Sequence, residues 1–294
     1  MTMNPSVDPA ALNEEPETKA PRPGRGRYAK ALRTRPAVAS LTVLALIVLV
    51  AVALPFFLPY GPNEQGREAL AAPGGTHPLG TDEVGRDLLA RLIAGTRVDL
   101  LVTLIAVPIA AVAGTLLGLI GAVSPATGGF FQRVFEVLLG VPGIILGIAV
   151  AMAMGAGETA VIVAIVLITA PSFGRQARSS LLTQLSREYV AAAEVLGYSR
   201  VRVTFRHILP NMVDVVFVRF AMEMARAITI EGSLSVVGLG IQPPQASLGA
   251  LISDGSAYLL DRPLYAMAPV VVVVVLVFCY IALSNALNKA VLRS

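Results

Sequence analysis

Charged residues, cysteine and histidine are scarce in this chain of 294 residues. Asp, Glu, Lys and Arg make up 14% of it and hydrophobic residues 55%, whereas an ordinary soluble domain carries about 25% charged residues. The single cysteine, Cys279, excludes an intramolecular disulfide. The two histidines, His77 and His207, have no partner at metal-ligand spacing, so no metal site is predicted. The composition therefore indicates a membrane protein that exposes most of its surface to lipid.

Signatures of catalysis are missing as well. The chain has three lysines, and none lies in the G-x-x-x-x-G-K-[ST] loop that binds nucleotide phosphates. It has no G-x-S-x-G turn and no HExxH helix, so no chemistry for hydrolysis within the membrane is visible. We therefore predict a chain that is not an enzyme, holds no cofactor of its own and takes energy from elsewhere. Its formal charge of +4 is too small to indicate nucleic-acid binding.

Apolar runs close to the length that crosses a bilayer, about 20 residues, recur along the chain. We predict an all-α integral membrane protein with six transmembrane helices. The predicted spans are 37–58, 98–121, 134–156, 158–174, 212–231 and 266–287. Residues 1–36 are predicted to be a disordered tail because they have few large apolar side chains. Residues 37–97 hold the first span and an outer loop with an interfacial helix, and 98–290 form a five-helix core with a cytoplasmic loop, 179–211, and an outer loop, 232–265.

Basic residues predict the orientation of these spans. Arginine and lysine concentrate in the N-terminal tail, the loop after span two, the loop after span four and the C-terminal end. The arginines of the opposite side are offset by aspartate and glutamate. Because basic loops stay on the cytoplasmic side of a membrane, both termini are predicted to be cytoplasmic in a multi-pass protein.

Glycine and proline interrupt the second and third predicted spans. Pro108 precedes a ladder of small residues, Ala110, Gly114 and Gly118, and Pro142-Gly143 breaks the third span. Small residues let helix backbones approach closely, while proline bends a helix. Two interpretations stay open: tight packing of the bundle, or bent helices that line a path.

The loop between the fourth and fifth spans has the pattern of a helix, a glycine and a second helix. Residues between Leu181 and Leu196 show helical periodicity, Gly197 is a helix stop, and a basic second helix follows until Pro210. The apolar stripe of the first helix comprises Leu182, Leu185, Tyr189, Ala192, Ala193 and Leu196. Since this stripe is too short to be a core, we expect it to need lipid headgroups or another protein as its partner.

Residues 188–211, EYVAAAEVLGYSRVRVTFRHILPN, resemble the cytoplasmic EAA loop of binding-protein-dependent ABC importer permeases. That motif consists of Glu-Ala-Ala, three residues, Gly, nine residues, Ile, one residue and Leu-Pro. The positions in register are Ala192, Ala193, Gly197, Leu209 and Pro210, whereas Ala191 replaces the motif's Glu and His207 its Ile. The resemblance implies that these positions, with Glu188, form a coupling helix that docks in a groove of an ATPase subunit.

Two further segments, His77–Val102 and Glu231–Ile252, look like stretches of the peptide/nickel branch of these permeases, and favour the "C" permease of dipeptide and oligopeptide importers. The resemblance implies an importer of peptides, or a similar small solute, in a bacterial plasma membrane. Its implied partners are a second permease in a heterodimer, two ATPase domains holding ATP and Mg, an extracytoplasmic solute-binding protein and lipid, without nucleic acid.

On the outer side, Thr81-Asp82 followed by Glu83 is predicted to cap a helix, because acidic residues suit the positive end of a helix. One interpretation is an interfacial helix that leads into the second span. The other rests on the resemblance and is a contact of Asp82, Arg86 and Asp87 with the solute-binding protein.

The fifth predicted span carries Arg219, Glu223 and Arg226 on one helical face, where they can form ion pairs. Charges within a membrane face the protein interior or water. These residues belong either to a substrate path or to a self-neutralising ladder that holds subunits together. Glu231, at the outer end of the same helix, is a candidate to face a charged peptide terminus.

Two other functions compete with the importer. A secondary transporter driven by an ion gradient usually has two corresponding halves with midplane carboxylates, but we find no second copy of the span-five pattern. A structural scaffold or enzyme anchor would not need the fixed spacing between Gly197 and Pro210. The sequence therefore favours an ATP-driven importer, with the secondary transporter as the alternative.

Overall fold

The computed structural model describes residues 32–120 and 124–292. Its regular secondary structure in these ranges is helical, apart from one isolated bridge between Thr81 and Asp87, and the stretch 57–87 consists of turns and irregular loop. The helices are α1 (Arg35–Ala53), α2 (Leu88–Leu119), α3 (Pro125–Gly140), α4 (Gly143–Met154), α5 (Glu158–Leu185), α6 (Glu188–Val195), α7 (Arg200–Val203), α8 (Leu209–Val236), α9 (Leu248–Ser256) and α10 (Pro263–Leu292). The predicted disordered tail, 1–36, lies outside the described residues up to residue 31, and its last two residues already belong to α1.

Four helices of the described chain are long and apolar enough to span a membrane: Arg35–Phe56, Leu88–Leu119, Glu158–Leu185 and Pro263–Lys289. The pair Ala126–Gly140 and Gly143–Met154, bent by 99°, would form a fifth span. The predicted span 212–231 does lie in a helix, α8, but five acidic or basic residues between 214 and 231 make it too polar to qualify. The predicted count of six spans is therefore not confirmed, whereas the all-α membrane fold is.

Two helices extend beyond the bounds of the spans predicted for them, one of them past a proline that was taken as its end. The fourth span was predicted to end near Pro171, but α5 continues through Pro171 to Leu185. The second span was predicted from residue 98, but α2 begins at Leu88 and passes through Pro108. Inside a bundle, neighbouring helices can compensate for the backbone hydrogen bond that proline removes.

The glycines of α2 distinguish between the two interpretations of the small-residue ladder, tight packing and a path lined by bent helices. A Cβ atom at Gly114 would collide with the carbonyl oxygen of Ala170 in α5, and one at Gly118 with that of Gly174. Only glycine allows backbones to come so close. These residues serve tight packing, while the break at Pro142-Gly143 is a true bend in the chain.

The core of the bundle lies among α2, α5 and α8. Its fully buried side chains are Val102, Ala106, Val107, Ala110, Val161, Ala164, Ile165 and Ala227, with Ile168, Phe173, Met224 and Leu234 nearly so. Helix α10 packs on α8, α9 and α1 around this core. Helix α8, which carries five acidic or basic residues between 214 and 231, thus packs against α2, α5 and α10.

The outer side was also predicted in part wrongly. Asp87, not Thr81 or Asp82, is the N-cap of α2, because its Oδ1 accepts a hydrogen bond from the Ala90 amide at 2.7 Å. The predicted interfacial helix is therefore the first turns of α2 itself. The predicted outer loop, 232–265, instead contains the end of α8, all of α9 and the start of α10.

Candidate functional site

The loop predicted to be cytoplasmic, 179–211, contains two short helices, α6 and α7, rather than the single helix predicted for 181–196. Leu181 to Leu185 end the long helix α5, and α6 starts at Glu188 after a break at Ser186 and Arg187. A π-helical turn, Thr204–Ile208, then joins α7 to α8, whose first turn contains Pro210. The loop thus enters α8 without a flexible linker.

One face of this loop is packed against the bundle. Val190 and Ala193 of α6 are 2% and 8% exposed, and Val203 and Ile208 are fully or almost fully buried. They form a small core with the ends of the long helices, including Leu119, Ala177, Leu181 and Met212. The predicted apolar stripe is therefore split: Ala193 and Leu185 face this core, whereas Leu182 and Leu196 are exposed.

Gly197 ends α6 as predicted, and its backbone conformation explains why. Its φ of +79° lies in the left-handed region, which side chains disfavour and glycine tolerates. The Tyr198 amide donates a hydrogen bond to the Ala193 carbonyl at 3.1 Å, which is the reverse turn that commonly closes a helix at glycine. The next turn begins at Ser199, whose Oγ accepts from the Arg202 amide at 3.4 Å.

The opposite face of the loop is apolar and exposed. Val195 and Leu196 are 88% and 75% exposed, and the same face continues along the chain. We call the five exposed side chains Val195, Leu196, Tyr198, Val201 and Phe205 the loop surface. Among the residues that the resemblance assigns to coupling, Glu188, Ala191, Ala192, Gly197 and Pro210 are exposed, His207 and Leu209 are half-buried, and Ala193 is buried.

The charged residues of α8 pair within the helix, as predicted. Arg219 Nη2 lies 2.7 Å from Glu223 Oε1, and Arg226 Nη1 lies 3.8 Å from Glu223 Oε2. Arg226 Nη1 also donates to Ser172 Oγ in α5 at 3.4 Å. Glu223 is 1% exposed, whereas Arg226 is 42% exposed. With two arginines and one glutamate, the ladder has a net charge of +1. The guanidinium of Arg226, the more exposed of the two, has more N–H donors than these two contacts use.

Glu231, the fourth predicted path residue, is 0% exposed and lies against Asp99 of α2, which is also 0% exposed. Its carboxylate does not reach an open surface of this chain, so its role towards a peptide stays a prediction. Sequence reasoning missed Asp99. An isolated aspartate within an apolar span is itself a signal of function, and it would have led to this residue.

The three residues predicted to contact a binding protein make contacts that hold the segment before α2 together. Asp82 is fully buried and pairs with Arg86 and, at 3.4 Å, with Arg91 of α2. Asp87 accepts from His77 Nδ1 at 2.8 Å, when that nitrogen carries the proton, besides capping α2. Any contact of the outer loop with another protein would be made by the surface that these residues support, and that contact stays a prediction.

An apolar groove lies between α2 and the first turns of α8. Its volume is about 380 Å³, and it is lined by Pro108, Ala111, Val112, Thr115, Leu116, Leu209, Val213, Val216, Phe217 and Phe220. Pro108 therefore faces an open space, unlike Gly114 and Gly118. At this position the interpretation of a path remains open beside that of packing.

Comparison with known proteins decides the family. Residues 114–293 match the family of the binding-protein-dependent transport system inner membrane component. The chain belongs to this permease family. Residues 29–73 of the permease also match the N-terminal transmembrane domain of oligopeptide transport permease C. The permease is accordingly a multi-pass inner-membrane protein and a non-catalytic component of its transport system.

Curated relatives match over most of the permease. The di/tripeptide transport system permease protein DppC of Pseudomonas aeruginosa is 33% identical over 83% of this chain and 84% of its own length. The oligopeptide transport system permease protein OppC of Mycobacterium tuberculosis is 37% identical over 84% of this chain and 87% of its own. The glutathione transport system permease protein GsiD of Pectobacterium atrosepticum is 32% identical over 91% and 90%.

A solved structure supports the fold. The inward-facing MetNI methionine ABC transporter superposes with a TM-score of 0.56 over 69% of this chain and 97% of that chain, at 18% sequence identity. At this identity the likeness establishes the fold alone.

Proposed function

We propose that the permease is the transmembrane subunit of an ATP-driven importer of peptides, coupled through the loop surface to separate ATPase subunits. The observation that carries this proposal is the two-sided loop 188–210. Its inner face is buried in the bundle, while its outer face presents exposed apolar side chains, Val195 and Leu196 foremost. The names of the relatives, which are peptide and glutathione permeases, support a peptide or peptide-like solute.

The packing of the loop explains how a movement outside the membrane would reach the pore. Val190, Ala193 and Ile208 pack against the ends of α2 and α5, and the π-helical turn leads directly into α8. A partner that pushes or pulls the loop surface would therefore displace α8 together with α5. The exposed basic side chains of Arg202 and Arg206 beside this surface favour a partner groove with an acidic rim.

The partners follow from the same proposal. They are two ATPase domains that hold ATP and Mg, an extracytoplasmic solute-binding protein and a second permease chain, which completes the pore. The basic loops and both termini lie in the cytoplasm, where the ATPases are. An importer driven by an ion gradient would need no loop surface of this kind, so no separate observation favours the secondary transporter.

The substrate path in this proposal runs along the charged face of α8. The ladder of Arg219, Glu223 and Arg226 leaves one positive charge, and Arg226 is the most exposed of the three. A peptide carries an α-carboxylate, which is a good partner for a guanidinium with free donors. Arg226 is therefore the residue proposed to meet the carboxylate end of the solute.

The test compares two exposed leucines on opposite sides of the membrane. Leu196→Asp places a charge in the loop surface, and Leu260→Asp places one in the outer turn, where Leu260 is 97% exposed. The complex is purified through a tag on this chain. We expect ATPase subunits to co-purify with wild type and Leu260→Asp, and at least about tenfold less with Leu196→Asp, because a buried interfacial charge without a partner costs several kcal/mol.

Equal ATPase retention in both variants would contradict coupling through the loop surface. A chain that purified alone and moved solute in liposomes without ATP would overturn the importer itself.

A further inference from the structure

Two acidic side chains are buried against each other between α2 and α8. Asp99 lies in the fourth turn of α2 and Glu231 near the C-terminal end of α8, and both are 0% exposed. The two carboxyl groups are linked through Ser235, Ser247 and the Leu248 amide. Two ionised carboxylates in contact and away from water repel strongly, so this arrangement needs an explanation.

The donors around the pair satisfy one oxygen of each carboxyl group. Ser235 Oγ donates to Glu231 Oε1 at 2.7 Å, and the Leu248 amide donates to Asp99 Oδ2 at 3.2 Å. The other two oxygens, Asp99 Oδ1 and Glu231 Oε2, have no donor among the residues that the structure describes. The charge of the pair is also not balanced by a cation, since neither carboxyl group forms an ion pair with any of the described residues.

We propose that Asp99 and Glu231 bind one proton between them and that the protonated pair clamps the start of α9 onto α2 and α8. A proton between Asp99 Oδ1 and Glu231 Oε2 gives both orphan oxygens a hydrogen bond and reduces the charge of the pair from −2 to −1. A metal cation fits less well, because it would require several more oxygen ligands than the two that are left over. This inference does not depend on which solute the permease carries.

Hydroxyl groups extend the clamp to α9. Ser247, the N-cap of α9, accepts from the Ala250 amide at 3.1 Å and donates to Ser235 Oγ at 3.2 Å. Ser235 in turn donates to Glu231. The first turn of α9 is thus tied to Glu231 through two hydroxyls and to Asp99 through the Leu248 amide, so that one proton completes a network shared by three helices.

Close backbone contacts bring the three helices together around the pair. A Cβ atom at Gly249 would lie 2.6 Å from Ser235 Cβ and 2.7 Å from the Gly232 carbonyl oxygen. One at Gly95 would lie 3.0 Å from the Ser247 carbonyl carbon. The first turn of α9 therefore lies directly against α2 and α8, and the shared proton gives the two buried oxygens the hydrogen bond that they lack.

Infrared spectroscopy of the purified permease tests the shared proton near neutral pH. A protonated carboxylic acid has a C=O stretching band that a carboxylate lacks. Wild type is expected to show this band, and Asp99→Asn and Glu231→Gln are each expected to lose it, because the new amide donates to the remaining carboxylate and no acid proton is needed. Glu136→Gln, at an exposed glutamate of α3, is the matched control and should leave the band unchanged.

A band that persists in both variants, or is absent from wild type, would overturn the shared proton. If a variant does not accumulate, ¹³C-labelled aspartate and glutamate in wild type give the same answer. The C=O stretching band must then shift both when aspartate is labelled and when glutamate is labelled. A band that does not shift with both labels contradicts the shared proton.

Hydrogen–deuterium exchange tests the clamp. Asp99→Asn keeps an oxygen that accepts from the Leu248 amide, whereas Asp99→Ala removes it. We expect the segment 247–252 to exchange at the wild-type rate in Asp99→Asn and about tenfold faster in Asp99→Ala, as for the loss of one hydrogen bond to a charged group. Unchanged exchange in Asp99→Ala would show that α9 is held without the carboxyl pair.

Discussion

At Gly197 the backbone conformation, rather than the space around the residue, restricts the side chain. A Cβ atom there would have no heavy atom within 4 Å, yet φ is +79°. A residue with a side chain in this region costs about 1–2 kcal/mol, asparagine less than most. The glycine therefore determines the angle between α6 and α7, and with it the shape of the loop surface.

Two substitutions at Gly197 separate the effect of backbone conformation from the effect of side-chain size. Gly197→Val is expected to loosen the turn and to weaken ATPase co-purification several-fold, because a β-branched residue fits the left-handed region poorly. Gly197→Asn should stay close to wild type. Hydrogen exchange of residues 188–203 measures the stability of the turn in both variants. An equal loss of ATPase co-purification in the two variants would mean that any side chain at position 197 weakens the interaction by its size alone.

Helices α2 and α5 form the element pair on which the bundle depends, and their contact is made by glycine backbones. Gly114 and Gly118 face carbonyl groups of α5 with no space for a methyl group. At Gly129 of α3, in contrast, a Cβ atom would have no heavy atom within 4 Å. The same substitution should thus have opposite effects in the two helices.

Gly114→Ala is expected to destabilise the permease by about 1–3 kcal/mol, because α2 and α5 must separate. Gly129→Ala is expected to stabilise it by up to about 1 kcal/mol, because alanine is the better helix former. The single cysteine, Cys279, is 4% exposed, so the reaction of its thiol with a fluorescent probe on heating reports unfolding in detergent. A stabilising effect of Gly114→Ala would contradict the close approach.

For the whole molecule, the proposed path and the proposed coupling meet in α8. This helix starts at the cytoplasmic loop, carries the Arg219–Glu223–Arg226 ladder in its middle and ends at the Asp99–Glu231 pair. A displacement at its cytoplasmic end would therefore reach both charged sites. Arg219, at 2.7 Å from Glu223, is the closer partner of that carboxylate, which leaves Arg226 for the solute.

Uptake by the complete importer in liposomes tests Arg226. Arg226→Gln is expected to lower uptake of peptides with a free carboxyl terminus about tenfold, since a hydrogen bond to a charged group is worth about 1.5–3 kcal/mol. Uptake of the same peptides with an amidated terminus should hardly change. Arg133→Gln, at an exposed arginine of α3, should affect neither. An equal loss for both kinds of peptide would assign Arg226 to the structure of the bundle.

The sequence by itself determined the membrane class, the short helices between the fourth and fifth predicted spans, the helix stop at Gly197 and the self-pairing of Arg219, Glu223 and Arg226. These depend on composition, on local periodicity and on residues within one helical turn of each other. The sequence placed the end of α5 at Pro171, but the helix continues, because packed neighbouring helices can compensate for a proline. It placed the helix cap at Thr81-Asp82 rather than at Asp87, because the cap is decided by the backbone geometry around the side chain.

Only the tertiary structure decided which face of the loop is buried. Ala193 and Leu196 are both apolar, but only Ala193 packs against the ends of the long helices. It also decided that Asp82, Arg86 and Asp87 are turned inward. The contact of Asp99 with Glu231 joins residues far apart in the chain, and no local pattern contains it. Such a pair arises when separate helices are brought together, and its proposed proton follows from the burial of two carboxyl groups that each have one oxygen without a donor.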